Sequence, residues 1–203
     1  MTPVSAGKIP KIVGFGGTTR PGSSGERVVR AVLAECSVMG ADTHMFGGDE
    51  LAQLPHFAPE NDQRTAAQTA FVDAIRGCDG IVIGTPGYHG GVSGLVKNAI
   101  DLLEDLNRDE RVYFDGRAVG LVVTAAGWQA CGVTLQALRG IVHAMRGWPT
   151  PVGLAINTVE QKPFDADGRV VDPGLKQQIA LQARQILFLA GASAGPAVTA
   201  AVA

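Results

Sequence analysis

The sequence predicts one α/β domain in which a five-stranded parallel sheet, in the order 2-1-3-4-5, carries helices on both faces. Short apolar β-branched runs alternate with helical periodicity five times along the chain, the pattern that demands a parallel sheet covered on both sides. At 203 residues the chain is long enough to bury roughly 70% of the surface its unfolded form exposes, so no disulfide or metal is needed to hold it. No internal repeat or low-complexity linker divides it, and 46% apolar with 18% charged residues excludes a disordered chain.

The expected strands run from Lys11 to Phe15, Asp42 to Phe46, Gly80 to Gly84, Ala118 to Thr124 and Val152 to Ile156. Between them helices are expected at Gly25 to Val38, Thr65 to Arg76, Ser93 to Leu106 and Val133 to Met145, with a last one from Pro173 to Leu189. The third helix shows the logic: Leu95, Val96, Ala99, Leu102, Leu103 and Leu106 recur at three- and four-residue steps, and Lys97, Asp101, Glu104 and Asp105 fall off that stripe. Residues 1–10 read as a loose arm, 11–192 as the domain and 193–203 as a frayed tail. The uncharged stretch from Ile186 to Ala203 is mostly small residues after Leu189, which gain little from lipid, so no membrane partner is expected.

Seventeen basic residues stand against 19 acidic ones, a net charge of −2, and no Lys/Arg run exceeds two residues; a nucleic-acid partner is therefore not expected. Cys36, Cys78 and Cys131 are far apart and lack disulfide or zinc spacing, which suits a reducing cytoplasm. The amino terminus carries no apolar secretory core.

In a doubly wound sheet, ligands sit beyond the carboxyl ends of the strands, at the switch point between strands one and three. The loop after strand one reads GFGGTTRPGSSGERVV, with close glycines, the hydroxyls of Thr18, Thr19, Ser23 and Ser24, and Arg20, just before a helix begins. Free N–H groups and the positive end of the helix dipole make such a loop an anion cradle. Ser23 stands where a nucleoside-triphosphate loop needs lysine, and Thr19 where a dinucleotide fingerprint needs its third glycine, so a terminal monophosphate remains. By composition alone the same residues serve as a flexible connection with Ser24 as the helix N-cap.

The loop after strand three, TPGYHGGVSGLVKNAIDLL, combines Pro86 with Gly87, Gly90, Gly91 and Gly94 around Tyr88 and His89. Such a loop lets backbone lie against a planar ring while Tyr88 stacks beside it, needs that a flavin meets.

These two loops resemble those of the NAD(P)H-dependent FMN reductases, a flavodoxin-like group. GTTRPGSS is similar to that family's G-S-x-R-x-G-S pattern, and TPGYHGGVSGLVKNAIDLL to T-P-E-Y-N-x-x-x-P-G-x-L-K-N-A-I-D. The resemblance implies a flavodoxin-like fold and bound FMN. It places phosphate contacts on Thr18, Arg20 and Ser23, with Ser24 beside them, and isoalloxazine contacts on Pro86, Tyr88, His89 and Gly90. Backbone donors of Gly87 to Gly91 would face the reduced ring, and Ala126 and Gly127 after strand four would touch it. Trp128 and His89 are candidates on the substrate side, Trp128 equally so for a subunit interface. Gly25, Gly87, His89 and Ser93 replace an asparagine, a glutamate, an asparagine and a proline of the family pattern.

The resemblance further implies an oxidoreductase that takes a hydride from NADPH or NADH onto flavin N5 and passes it, in ping-pong fashion, to a small-molecule electron acceptor such as free FMN or a quinone. The cofactor carries that chemistry, so no catalytic side chain is expected. Members of the family associate, and a homodimer or homotetramer is expected here. The main rival is an electron-carrier flavodoxin, whose acidic surface this near-neutral chain lacks. A dehydrogenase using Asp49, and a flavin protein without catalysis, stay open. Arg20 and Arg111 are both available to a 2′-phosphate. His44 and Trp148 are expected to pack and His143 to lie on the surface, while Leu54 to Phe57 either fills space or lines the outer edge of the site.

Overall fold

The computed structural model describes residues 8–193. Its parallel strands are β1 (Lys11–Gly16), β2 (Asp42–Phe46), β3 (Gly80–Tyr88), β5 (Ala118–Ala125) and β6 (Trp148–Asn157), in the order β2-β1-β3-β5-β6. A two-residue strand, β4 (Gly91–Val92), folds back antiparallel on the end of β3. The parallel path is the expected 2-1-3-4-5 order, and β4 is the addition. The helices are α1 (Ser24–Val38), α2 (Gly48–Leu51), α3 (Ala66–Gly77), α4 (Gly94–Leu102), α5 (Trp128–Ala144) and α6 (Pro173–Ser193), with a 3-10 turn at Leu103–Leu106.

Alternation along the strands builds two cores. Val13, Phe15, Ile81, Ile83, Leu121 and Val123 face α3, α4 and α5, where Phe15, Phe46 and Phe71 meet edge to face with centroids 5.1–5.3 Å apart. Ile12, Val82 and Val122 point the other way, onto Val28 and Val32 of α1 and Ile179 and Ile186 of α6. Every residue of β5 is buried, as an inner strand covered on both faces requires.

Local chemistry sets the helix starts. Thr65 and Gln68 form a reciprocal capping box at α3, and Ser93 Oγ accepts from Val96 N at α4. Two buried polar side chains brace the sheet. Arg117, fully buried, donates to the carbonyls of Cys78, Tyr113 and Arg76, and burial pulls its guanidinium below its ordinary pKa. Gln182 Nε2 reaches Leu121 O and Val152 O.

Several expectations need correction. Helix α5 begins at Trp128 rather than Val133, because the segment WQACG carries no apolar stripe to mark a helix. Strand β6 begins at Trp148 rather than Val152: Pro149 and Pro151 argue against a strand in sequence, but an edge strand tolerates them. Trp148 is 62% exposed and does not pack as expected. His44 is also exposed, on edge strand β2, with its ring against Phe46. Residues 1–7 and 194–203, most of the expected arm and tail, lie outside the described residues. The described end of the arm is attached: Lys8 Nζ pairs with Asp79, and Pro10 O accepts from Asp42 N. No helix among the described residues is long and apolar enough to cross a membrane.

Candidate functional site

The ladder brings the carboxyl ends of β1, β3 and β5 side by side, with Gly16 opposite Gly84 and Pro86 opposite Thr124. At the end of β1 the chain turns out of the sheet with Gly16 at φ 141°. A Cβ there would stand 2.0 Å from Gly84 O, so only glycine lets the loop press against β3. Gly17 N then donates to the same carbonyl, and Arg20 N donates to Thr18 Oγ1, closing a tight turn.

The loop ends at Ser23, which is the N-cap of α1; Ser24, the expected cap, is already in the first turn. Ser23 does not use its hydroxyl to cap. Its Oγ is buried, with the residue 3% exposed, and has no hydrogen-bond partner among the described residues. An unpartnered buried hydroxyl at the N-terminus of a 15-residue helix is the arrangement that a phosphate oxygen satisfies. Arg20 and Thr19 are exposed at the rim, and Arg20 has no carboxylate partner among the described residues.

Glu26, which sequence reasoning passed over, is buried beside this loop. Its Oε1 accepts from Arg30 Nε at 2.9 Å and Nη2 at 2.8 Å, and its Oε2 lies 3.5 Å from Gly48 N at the start of α2. In sequence it is an ordinary first-turn acid.

The second loop is a hairpin. Tyr88 pairs with Gly91 across two left-handed residues, His89 at φ 52° and Gly90 at φ 76°, which is a type I′ turn. The family asparagine replaced by His89 thus holds a position that favours left-handed backbone, and histidine is among the few side chains enriched there. Thr85 and Ser93 staple the hairpin base: Ser93 N donates to Thr85 Oγ1 at 3.0 Å, and Thr85 Oγ1 donates to Pro86 O. Pro86 is buried, while Tyr88 and His89 stand exposed. At Gly87 a Cβ would lie 2.7 Å from the buried, unpartnered Thr134 Oγ1 and 3.2 Å from Ala125 Cβ, so the family glutamate has no room here.

The third cluster sits at the start of α5. Ala126 is exposed, Gly127 is the N-cap, and Trp128 is 50% exposed with its Nε1 donating to Glu160 Oε2 at 2.7 Å. That bond fixes the indole against the loop after β6. The clusters touch: a Cβ at Gly25 would be 3.5 Å from Thr124 Oγ1, and one at Gly90 3.5 Å from Val133 Cγ1.

Other candidates fall away from this end of the sheet. Arg111 donates to Cys78 O, before the start of β3 at the opposite end, and is not available to a ligand at the loops. Asp101 pairs with Lys97, Glu104 accepts from Tyr113 OH, and His143 is on the surface. Leu54 to Phe57 is tied to α4 by Asn98, which donates to Leu54 O and Pro55 O and accepts from Phe57 N. The three cysteines are buried and free; burial pushes the Cys36 thiol up to about 12 and Cys78 to about 11, and raises Cys131 as well, so none is a ready nucleophile. A groove of about 440 Å³ between α4 and α5 and one of about 420 Å³ along α1 share no residue with the predicted cofactor contacts.

Residues 10–161 match the family model described as NADPH-dependent FMN reductase. An FMN-dependent NADPH-azoreductase of Staphylococcus haemolyticus is 30% identical over 142 residues, 66% of this chain and 72% of the relative. One of the same description from Staphylococcus aureus is 39% identical over a shorter stretch of 77 residues, 38% of this chain and 37% of the relative. Among solved structures, the flavoenzyme NAD(P)H:(acceptor) oxidoreductase of Paracoccus denitrificans superposes with a TM-score of 0.70 at 18% identity, covering 89% of this chain and 98% of the other, a likeness of fold. The chain belongs to the NADPH-dependent FMN reductase family and is an NAD(P)H-dependent oxidoreductase that works with FMN.

Proposed function

We propose that FMN is held with its phosphate in the loop from Gly17 to Ser24 and its ring on the hairpin, and that the chain passes reducing equivalents from a nicotinamide dinucleotide to a small electrophilic acceptor. The buried, unpartnered Ser23 Oγ at the head of α1 carries this reading. Ser23 and Thr18 supply hydroxyls, Ser24 and its neighbours supply backbone N–H groups, and Arg20 has no acid among the described residues to hold it back from a dianion. Pro86 to Gly91 form a stapled platform, with Tyr88 exposed beside it, and Ala126 and Gly127 close the flank. Bound FMN would supply the N5 atom that accepts and returns a hydride; the protein's work is to hold the ring and keep one face open.

The acceptor is a small planar electrophile, free FMN or a quinone among them, and donor and acceptor use the same open face in turn. Trp128, braced by Glu160, supplies an aromatic wall at that opening. Exposed Tyr88, Trp128 and Val133 also support association of this chain with copies of itself, and three unpaired thiols support a reducing compartment.

The test is steady-state kinetics of the FMN-loaded protein with NADPH or NADH and several acceptors. Parallel double-reciprocal lines are expected as acceptor concentration is varied. Intersecting lines would overturn the alternating use of one face. A protein that binds FMN yet oxidises neither dinucleotide would be an electron carrier, and one that binds no FMN would overturn the whole reading.

A further inference from the structure

The groove of about 420 Å³ along α1 is rich in cations. In a chain of net charge −2 it collects Arg27, Arg30, Arg169 and Lys176 against one lining carboxylate, Glu35. Arg30 is engaged by Glu26, and Arg169 by Asp167 at an exposed pair. Arg27 and Lys176 have no carboxylate partner among the described residues.

Arg27, an exposed residue, nevertheless packs against neighbours. Its guanidinium lies over the Phe164 ring, 5.6 Å from the centroid, and a carbon added to Gly168 would stand 2.8 Å from its Cζ. The turn beside it is preformed: Phe164 and Val170 bridge antiparallel, Asp165 N donates to Arg169 O, and Gly168 N donates to Asp165 O. An arginine fixed by a ring and a turn, rather than by an acid, keeps its N–H fork open for an anion. Arg27 Nη2 also lies 3.5 Å from where a carbon on Gly22 would stand, so the groove begins at the rim of the phosphate loop. Val170 and Ile179 add apolar lining to the cations.

Cations beside apolar carbon, in a groove of ligand size, suit a phosphate carried on a flat organic body. We propose that this groove binds a phosphorylated adenosine, with the phosphate against Arg27 and Lys176. On the reading that the chain oxidises NADPH, the 2′-phosphate end of that donor is one source of the group, and a separate free nucleotide is the other.

Adenosine 2′,5′-bisphosphate titrated calorimetrically into the full-length protein is the probe. Saturable binding is expected, weakened about tenfold by Arg27→Gln and again by Lys176→Gln, the loss of one charge-assisted bond each. Lys176→Gln leaves the Arg27 and Phe164 stack untouched and guards against misfolding. A rise of about tenfold in KM for NADPH, with KM for NADH unmoved, assigns the groove to the donor; weakened bisphosphate binding with both KM values unmoved assigns it to a separate nucleotide. Absence of saturable binding, or an affinity unchanged in both variants, overturns the proposal. FMN binding is followed separately by flavin fluorescence, so a failure of the functional reading shows there while the calorimetry still decides the groove.

Discussion

Replacing Ser23 by alanine separates what the hydroxyl does for the fold from what it does for a ligand. The Oγ is buried without a partner and does not cap α1, so its removal breaks no hydrogen bond in the ligand-free chain. A buried unsatisfied hydroxyl costs about 1–3 kcal/mol, against which the variant loses only the packing of one oxygen. The ligand-free variant is therefore expected to be as stable as the parent, or about 1 kcal/mol more stable. With the phosphate placed as proposed, the hydroxyl donates to a charged group, a bond worth about 1.5–3 kcal/mol, so FMN affinity is expected to fall by about 10- to 150-fold. Thermal unfolding of the ligand-free protein and quenching of flavin fluorescence on titration measure the two quantities independently. A ligand-free variant destabilised by more than about 1 kcal/mol, with FMN affinity unchanged, would refute the reasoning, because the hydroxyl would then be serving the helix and not an anion.

Three further outcomes follow from the same geometry. His89→Val places a β-branched side chain at φ 52° and should cost about 1–2 kcal/mol, whereas His89→Asn should be neutral or stabilising; equal thermal midpoints for the two variants would show that the turn does not constrain this position. Gly87→Glu drives a carbon to within 2.7 Å of Thr134 Oγ1 and should cost about 1–3 kcal/mol, partly recovered by adding Thr134→Ala; a single variant as stable as the parent would contradict the close packing. The Cys36 thiol, raised by burial from 9.0 to about 12, is held neutral by the fold, so its contribution is complete below pH 9 and is lost as pH rises toward 12. Cys36→Ala should flatten that alkaline decline in denaturant midpoint, and an undiminished slope would assign the decline to other groups.

The strands were legible because a sheet buried on both faces needs uninterrupted apolar runs, and Ile81 to Ile83 or Leu121 to Val123 allow few other readings. The loops proposed to hold FMN stand out in sequence because glycines and hydroxyls crowd at the ends of those runs. Partners distant in sequence were not. Arg117 reads as a surface charge beside Gly116 and is fully buried under three carbonyls; Trp128 gives no sign of Glu160, and Asn98 none of Leu54 and Pro55. The difference between Ser23 and Ser24 as cap is one residue of loop geometry, which propensity does not resolve.

The departures from the family pattern around the ring loop fit together once the hairpin is seen. Ser93, in place of proline, caps α4 and donates its N–H to Thr85, a bond that proline cannot make. His89 keeps the left-handed turn that asparagine would favour, and Gly87 gives up the glutamate to make room for Thr134 on α5. The hairpin therefore keeps its backbone path, Tyr88 paired with Gly91 and Gly87 with Val92, while its side chains exchange a carboxylate and an amide for a bare backbone and an imidazole. A cofactor held chiefly by backbone N–H groups is insensitive to that exchange. On the proposed placement of FMN, a substrate approaching the hairpin tip meets an imidazole that can donate or accept where the family pattern has an amide, so exchanging positions 87 to 89 is expected to change the choice of acceptor more than the affinity for FMN.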